Sequence, residues 1–235
     1  NTYGYNLEPG SKELTALNYY TNEEITIPLD PTQTPGENAQ RYFAKYNKQK
    51  RTFEALTELI QETADDIQYL ESISNALDIA LSEADLAQIK EELMQSGYIR
   101  RKHTKKKVKL TSKPMHYISS DGYDMYVGKN NLQNEELTFS FANGNDWWFH
   151  AKGAPGSHVI VKSGGDELPD RTFEEAGRLA AYYSKNRGAD KVEIDYIQKK
   201  HVKKPNGAKP GFVVYYTNYS LVIDSDISNI KNVQD

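Results

Sequence analysis

The stretch DWWFHAKGAPGSHVIV, residues 146–161, decides how the second half of the chain reads. Aromatic and β-branched runs flank GAPGS, a cluster of turn residues, so the segment is predicted as strand, turn, strand. Successive strand side chains face opposite ways, which puts Trp147 and Phe149 on one face and Trp148, His150 and Lys152 on the other. Three chemistries are open to such a segment: an active site, a metal site, or a surface that holds a polyanion.

Working outward, LTFSFA (137–142) alternates and is predicted as the preceding strand, turned by Asn143-Gly144. YISSDGYDMYVG (117–128) reads as a hairpin, because Asp121-Gly122 supplies the positive-φ residues of a tight turn. TFEEAGRLAAYYSKNRG (172–188) carries apolar residues at helical spacing, with Thr172 as cap and Gly188 as stop. KVEIDYI (191–197) and FVVYYTNYSLVI (212–223) return to strand. Strands, one helix, then strands predict an α+β domain of mostly antiparallel sheet.

The first hundred residues have a different texture. LTALNYY and ITIPLD read as a hairpin around TNEE, and DPTQTPGEN then breaks regular structure before a helix. From Ala39 to Leu81 no Gly or Pro interrupts the chain. One heptad position takes Tyr46, Phe53, Ile60, Ile67, Ser74 and Leu81; the other takes Tyr42, Gln49, Leu56, Thr63, Leu70 and Leu77. At 1.5 Å per residue the helix would reach roughly 60 Å. SEAD (82–85) has the form of a capping box, and Gly97 suits the end of the second helix that follows, with Leu86, Ile89 and Leu93 on one face. An antiparallel coiled-coil hairpin is expected. The predicted organisation is a β-hairpin and linker remnant of an upstream domain (1–35), a helical arm (36–99), a basic linker (100–113) and an α+β domain (114–235).

Composition narrows the function. Across 235 residues, 37% hydrophobic and 26% charged, no run approaches the roughly 18 apolar residues of a membrane span, and no export signal opens the chain. Without cysteine there is no disulfide, thiol nucleophile or thiolate zinc site. The net charge of −4 hides an asymmetry: residues 1–99 hold 7 Lys/Arg against 17 Asp/Glu, and the remainder 22 against 16. Two clusters lack acids altogether, RRKHTKKKVK (100–109) and KKHVKKPNGAK (199–209). Either is a solvated basic linker or a contact for a phosphate-rich partner, and two in one half of the chain favour the partner.

The histidines His150, His158 and His201 fit no compact metal-ligand spacing. Ser157 and His158 are strand neighbours that point apart, so they cannot share a proton as nucleophile and base. GAPGS lacks the Lys-Ser/Thr ending of a phosphate loop. No enzyme, metal or cofactor is expected. What remains is a turn whose backbone amides can cradle an anion, flanked by Lys152, His150 and His158. The expected polyanion-binding set is Arg100, Arg101, Lys102, Lys105, Lys106, Lys107, His150, Lys152, Gly156, Ser157, His158, Lys199, Lys200, His201, Lys203 and Lys204. Two readings of the tryptophans stay open: both pack in a core, or Trp148 is an exposed platform on which a base stacks.

Together, DGYDMYVGKNNLQNEELTF, DWWFHAKGAPGSHVIV, EEAGRLAAYYSKNR and VKKPNGAKPG closely resemble the NFACT-R domain, and NEEITIPLDPTQTPGENAQRYFAKYNKQK resembles the middle coiled-coil region of the same NFACT family. Its bacterial members are known as fibronectin-binding protein A-like anchorless adhesins and as RqcH quality control factors. The resemblance covers nearly the whole chain and implies the C-terminal half of such a protein. Matching positions are Trp147, His150, Pro155, Gly156, Ser157, His158, Lys203, Lys204, Pro205, Gly207 and Gly211; departures are Gly153, where relatives often carry an acid, and the YIQKKH segment. The resemblance implies a non-enzymatic module that binds the large ribosomal subunit and tRNA in the cytoplasm, and host fibronectin or fibrinogen when displayed at the surface without signal peptide or wall anchor. The alternative is a purely matrix-binding adhesin fragment.

Overall fold

The computed structural model describes residues 7–100 and 112–233. The chain divides into two compact units, Asn1–Asp65 and Asp66–Asp235, and the division falls inside one helix. In the first unit, β1 (Glu13–Asn18) pairs antiparallel with β2 (Glu23–Pro28). Helix α1 (Pro35–Ile79) follows, capped by Thr34: the Glu37 carboxylate accepts from Thr34 N at 2.7 Å, and Glu37 N donates to Thr34 Oγ1 at 3.2 Å. Proline suits its first position, where the N–H has no helical partner anyway. Buried Asn38 ties the hairpin to the helix, accepting from Asp30 N at 2.8 Å and donating to Asp30 O at 3.0 Å.

In the second unit, the end of α1 and helix α2 (Glu83–Gln95) form the expected hairpin. Ser82 and Asp85 make the reciprocal capping box, and Gly97 takes φ 82° just beyond the helix. The packing seam is not the heptad. Tyr69, Ile73 and Ala76 bury against Ile89 and Phe212, while Ile67, Leu70 and Leu77 stay exposed. In the first unit Tyr46, Phe53, Leu56 and Ile60 are exposed as well. A 13-residue α2 covers only a short stretch of α1, and the face chosen is the one that also meets the sheet domain, where Asn75 Nδ2 donates to Tyr183 O at 3.4 Å.

The sheet has seven strands in the order β8-β7-β5-β6-β4-β3-β9, every neighbouring pair antiparallel. They are β3 (Met115–Ile118), β4 (Asp124–Val127), β5 (Trp147–Ala151), β6 (Val159–Val161), β7 (Val192–Gln198), β8 (Tyr219–Ile223) and β9 (Lys231–Asn232). Strands alternate between two cores. Phe149, Val159, Val161 and Ile194 face helix α4 (Asp170–Tyr182) through Ala176, Leu179 and Ala180. Trp148, Ile160 and Ile197 face the other way, onto Leu137, Ala142 and Val202. The architecture is α+β, as the strand and turn pattern predicts. Among the described residues no helix is long and apolar enough to cross a membrane.

Three local readings are corrected. Residues 137–142 are not a strand: helix α3 (Asn131–Glu136), capped by the Asn130 side chain, runs on into a π-helical turn, Leu137–Phe141. Leu137 and Phe141 are spaced for a helix as well as for a strand, and the asparagine cap settles the choice. The 212–223 run is interrupted at Thr217, which takes φ 60°, so only β8 joins the sheet while Val213 and Tyr215 cover the Trp148 face. Helix α4 begins at Asp170, and Thr172 lies buried in its first turn, bonded to Ser119 and Asp121 rather than capping. It ends well before Gly188.

Candidate nucleic-acid interface

The GAPGS turn is held from three sides. Gly153 takes φ 63°, Lys185 N donates to Pro155 O at 2.9 Å, and Ser157 N donates to Tyr183 O at 2.9 Å, fixing the turn to the end of α4. A side chain at Gly156 would meet Ser184 Cβ at 3.0 Å, so glycine permits the close approach. From α3, Asn134 braces both sides: Oδ1 accepts from His158 N at 3.0 Å, and Nδ2 donates to Gly156 O at 3.3 Å.

The two histidines that flank the turn meet above Trp148. The Trp148 ring lies 5.6 Å from His150 (17° between planes), 5.1 Å from His158 (80°) and 5.0 Å from Tyr215 (54°). Trp148 itself is wholly buried, so it is the floor of this cluster and not a surface platform. With both faces of the sheet covered, strand alternation sends it into the second core. Trp147 is the partly exposed one, packed on Phe173 and Tyr196 over the opposite face.

Burial pushes the His150 imidazole down to about 4, against the opposing pull of the Gly156 backbone and the Asp195 carboxylate. Burial, reinforced by neighbouring His150, holds His158 well below the usual histidine value. Its Nδ1 lies 2.8 Å from Thr138 Oγ1. At neutral pH both rings are therefore uncharged. They offer hydrogen bonds and ring faces and are not the cations expected of a polyanion clamp.

These residues line a cavity of about 200 Å³ together with Gly153–Gly156, Asn131, Gln68 and the Gly211–Val213 segment. Among the described residues no Lys or Arg lines it. The segment 211–213 continues directly from the basic loop 199–209. There, Lys204 Nζ is bound to both Glu135 oxygens at 2.8 Å, and Lys209 Nζ reaches Asp66 at 2.5 Å and lies 4.5 Å over the Tyr69 ring. Lys203 exchanges backbone bonds with Val214, leaving its side chain exposed. Lys199, Lys200 and Lys203 have no ion pair among the described residues, and His201 is exposed beside them.

The expected site residues thus sort by environment. His150, Gly156 and His158 share one cavity, and Lys199, Lys200, His201 and Lys203 lie on the loop leading to it. Ser157 is buried, with its Oγ unbonded. Lys152 is paired with Glu193 at 2.5 Å. Arg100 is exposed, and Arg101, Lys102, Lys105, Lys106 and Lys107 lie outside the described residues. Asn131, Asn134 and Tyr215 complete the site without having been expected; their signal is faint, since Asn and Tyr are common in loops and cores alike. Among the described residues no three His, Cys, Asp or Glu side chains cluster as metal ligands.

Two family models match the chain: NFACT N-terminal and middle domains over residues 1–112, and NFACT protein RNA binding domain over 113–217. Similar relatives are the Rqc2 homolog RqcH of Streptococcus pneumoniae (serotype 2, strain D39), 46% identical over 218 residues, covering 92% of this chain and 39% of that protein, and the Rqc2 homolog RqcH of Bacillus subtilis (strain 168), 41% identical over 233 residues, covering 96% and 40%. The chain spans about two fifths of the length of these relatives. A solved structure, the C-terminal of the fibronectin/fibrinogen-binding protein from Streptococcus suis, superposes with a TM-score of 0.77 at 43% identity, covering 85% of this chain and 80% of that one.

Proposed function

The chain belongs to the NFACT family, and we propose that its sheet domain is a non-enzymatic RNA-binding module that holds the large ribosomal subunit and tRNA during ribosome-associated quality control in the cytoplasm. The observation that carries this reading is the 199–209 loop, where Lys199, Lys200 and Lys203 stand without carboxylate partners among the described residues and Lys203 is bonded through its backbone to Val214, next to residues that line an uncharged cleft. A track of lysines next to ring faces suits a single strand, whose phosphates need charge and whose bases need surfaces. The basic block 100–107 would add further phosphate contacts.

A second reading has one specific support: a solved structure similar to this chain comes from a fibronectin/fibrinogen-binding protein. On that reading the same basic surface meets a host matrix protein.

The test is binding of this chain to large ribosomal subunits and to immobilised fibronectin, side by side over a salt series. The proposal expects salt-sensitive subunit binding. For single-stranded contacts the logarithmic salt slope is about −0.7 per phosphate, so K199S/K200S/K203S should flatten it by about 2. Fibronectin binding that survives salt, with no binding to subunits, would favour the second reading.

A further inference from the structure

We propose that the cavity between the GAPGS turn, α3 and the Gly211–Val213 segment receives one unpaired nucleobase of the bound RNA. This rests on the RNA-binding reading and deepens it by separating the part of the ligand that is read from the part that is merely held.

Size comes first. At about 200 Å³ the cavity falls below the roughly 300–1,000 Å³ typical of drug-sized ligands. That is room for one small ring system within the walls. Charge comes next. No cation lines the cavity among the described residues, and both imidazoles are neutral, so a phosphate or carboxylate entering it would lose its water without gaining a counter-charge. Whatever enters is neutral.

Shape and chemistry then select a heteroaromatic ring. Tyr215, Phe212 and Pro155 supply flat apolar walls, while Gln68, the Asn131 side-chain oxygen and the His150 imidazole supply hydrogen-bonding edges. A nucleobase combines such faces and edges, and single-stranded RNA presents them splayed from the backbone. Several of these walls are rigid. Asn134 is locked to Gly156 and His158, and Asn131 Nδ2 donates to Glu92 at 2.8 Å and to Ser72 Oγ at 2.7 Å. Position supplies the last argument: Lys203 is bonded through its backbone to Val214, which stands between the cavity-lining residues Val213 and Tyr215, so a strand whose phosphate meets Lys203 has the cavity close by.

The experiment uses the unmodified chain and a 12-nucleotide single-stranded RNA in which each base in turn is replaced by an abasic ribose. If one base sits in the cavity, affinity drops about tenfold or more at one position or its neighbours and little elsewhere. Gln68→Trp, a change at an exposed position of α1 that plugs the cavity mouth, should erase that positional penalty. Salt-sensitive RNA binding with no abasic penalty would overturn the base pocket and leave the RNA-binding reading intact. A penalty that persists in a folded Gln68→Trp chain would place the base elsewhere and also overturn it. No RNA binding at low salt would overturn both readings together.

Discussion

The imidazoles of His150 and His158 meet edge to face, 5.4 Å between centroids and 89° between planes, over the buried indole of Trp148. Two rings so placed cannot both carry charge cheaply, and burial settles the matter in favour of the neutral forms.

Stability should therefore fall with acid in a defined window. The unfolded His150 titrates near 6.5 and the folded one near 4, so between these values the unfolded state binds more protons. The stabilisation present above about pH 6.5 is lost progressively as pH falls towards 4. The groups facing the pair are the Asp195 carboxylate, which favours protonation of His150, and Thr138, Asn134 and Gly156, which carry no charge. Glu92, raised by burial, acts in the opposite sense. Urea melts at pH 7, 5.5 and 4.5 should show the decline, and His150→Gln should show a shallower one. An unchanged slope would mean that the ring is charged in the folded protein.

Trp148 and Trp147 are the chain's two tryptophans and differ in exposure. In Trp147→Phe the remaining emission should be blue-shifted and resistant to iodide. Trp148→Ala should cost about 3–5 kcal/mol in denaturant melts, the range for deleting a buried aromatic. Ready quenching of Trp148 would contradict its burial.

Asp85 and Lys129 form a buried ion pair at 2.9 Å between the cap of α2 and the segment entering α3. Burial works to raise the Asp85 carboxyl, but hydrogen bonds from Ser112, Lys129 and the Leu81 backbone hold it at about 2. Its contribution is thus present above about pH 4 and disappears as pH falls through 2. Lys129→Met leaves a buried carboxylate with one partner fewer and should destabilise by about 3–5 kcal/mol, with partial recovery in Lys129→Met/Asp85→Asn. A loss under 1 kcal/mol in the single variant would show the pair to be solvated.

Gly128, whose N–H donates to His158 O at 3.2 Å, and Gly153 in the GAPGS turn should respond differently to substitution. A Cβ at Gly128 would come 2.9 Å from Asn134 N and closer still to its side-chain oxygen. Gly128→Ala should therefore cost about 1–3 kcal/mol and loosen the GAPGS turn that Asn134 braces. Gly153 has open space around it and φ 63°, so Gly153→Ala meets only the backbone penalty of roughly 1–2 kcal/mol. Thermal melts report the cost, and amide exchange at His158 should accelerate in Gly128→Ala alone.

Much of the architecture was legible from neighbours in sequence. The Ser82–Asp85 cap, the hairpin at Asp121-Gly122 and the strands on either side of GAPGS depend on contacts within a few residues and are present in the structure, although of the turn pair only Gly122 takes a positive φ, 89°. The α+β class followed from their order. Resemblance identified the turn and the lysine loop as the places to look.

Tertiary structure alone decided what those places are chemically. Strand alternation separates Trp147 from Trp148 without saying that both faces are covered. Histidines look cationic until burial beneath the turn neutralises them. The brace on His158 comes from Asn134, 24 residues earlier, and Asn131 is anchored by Glu92, 39 residues before it. Caps and turns are local and so are written locally; dielectric environment, burial and cavity shape are sums over groups brought together from distant parts of the chain.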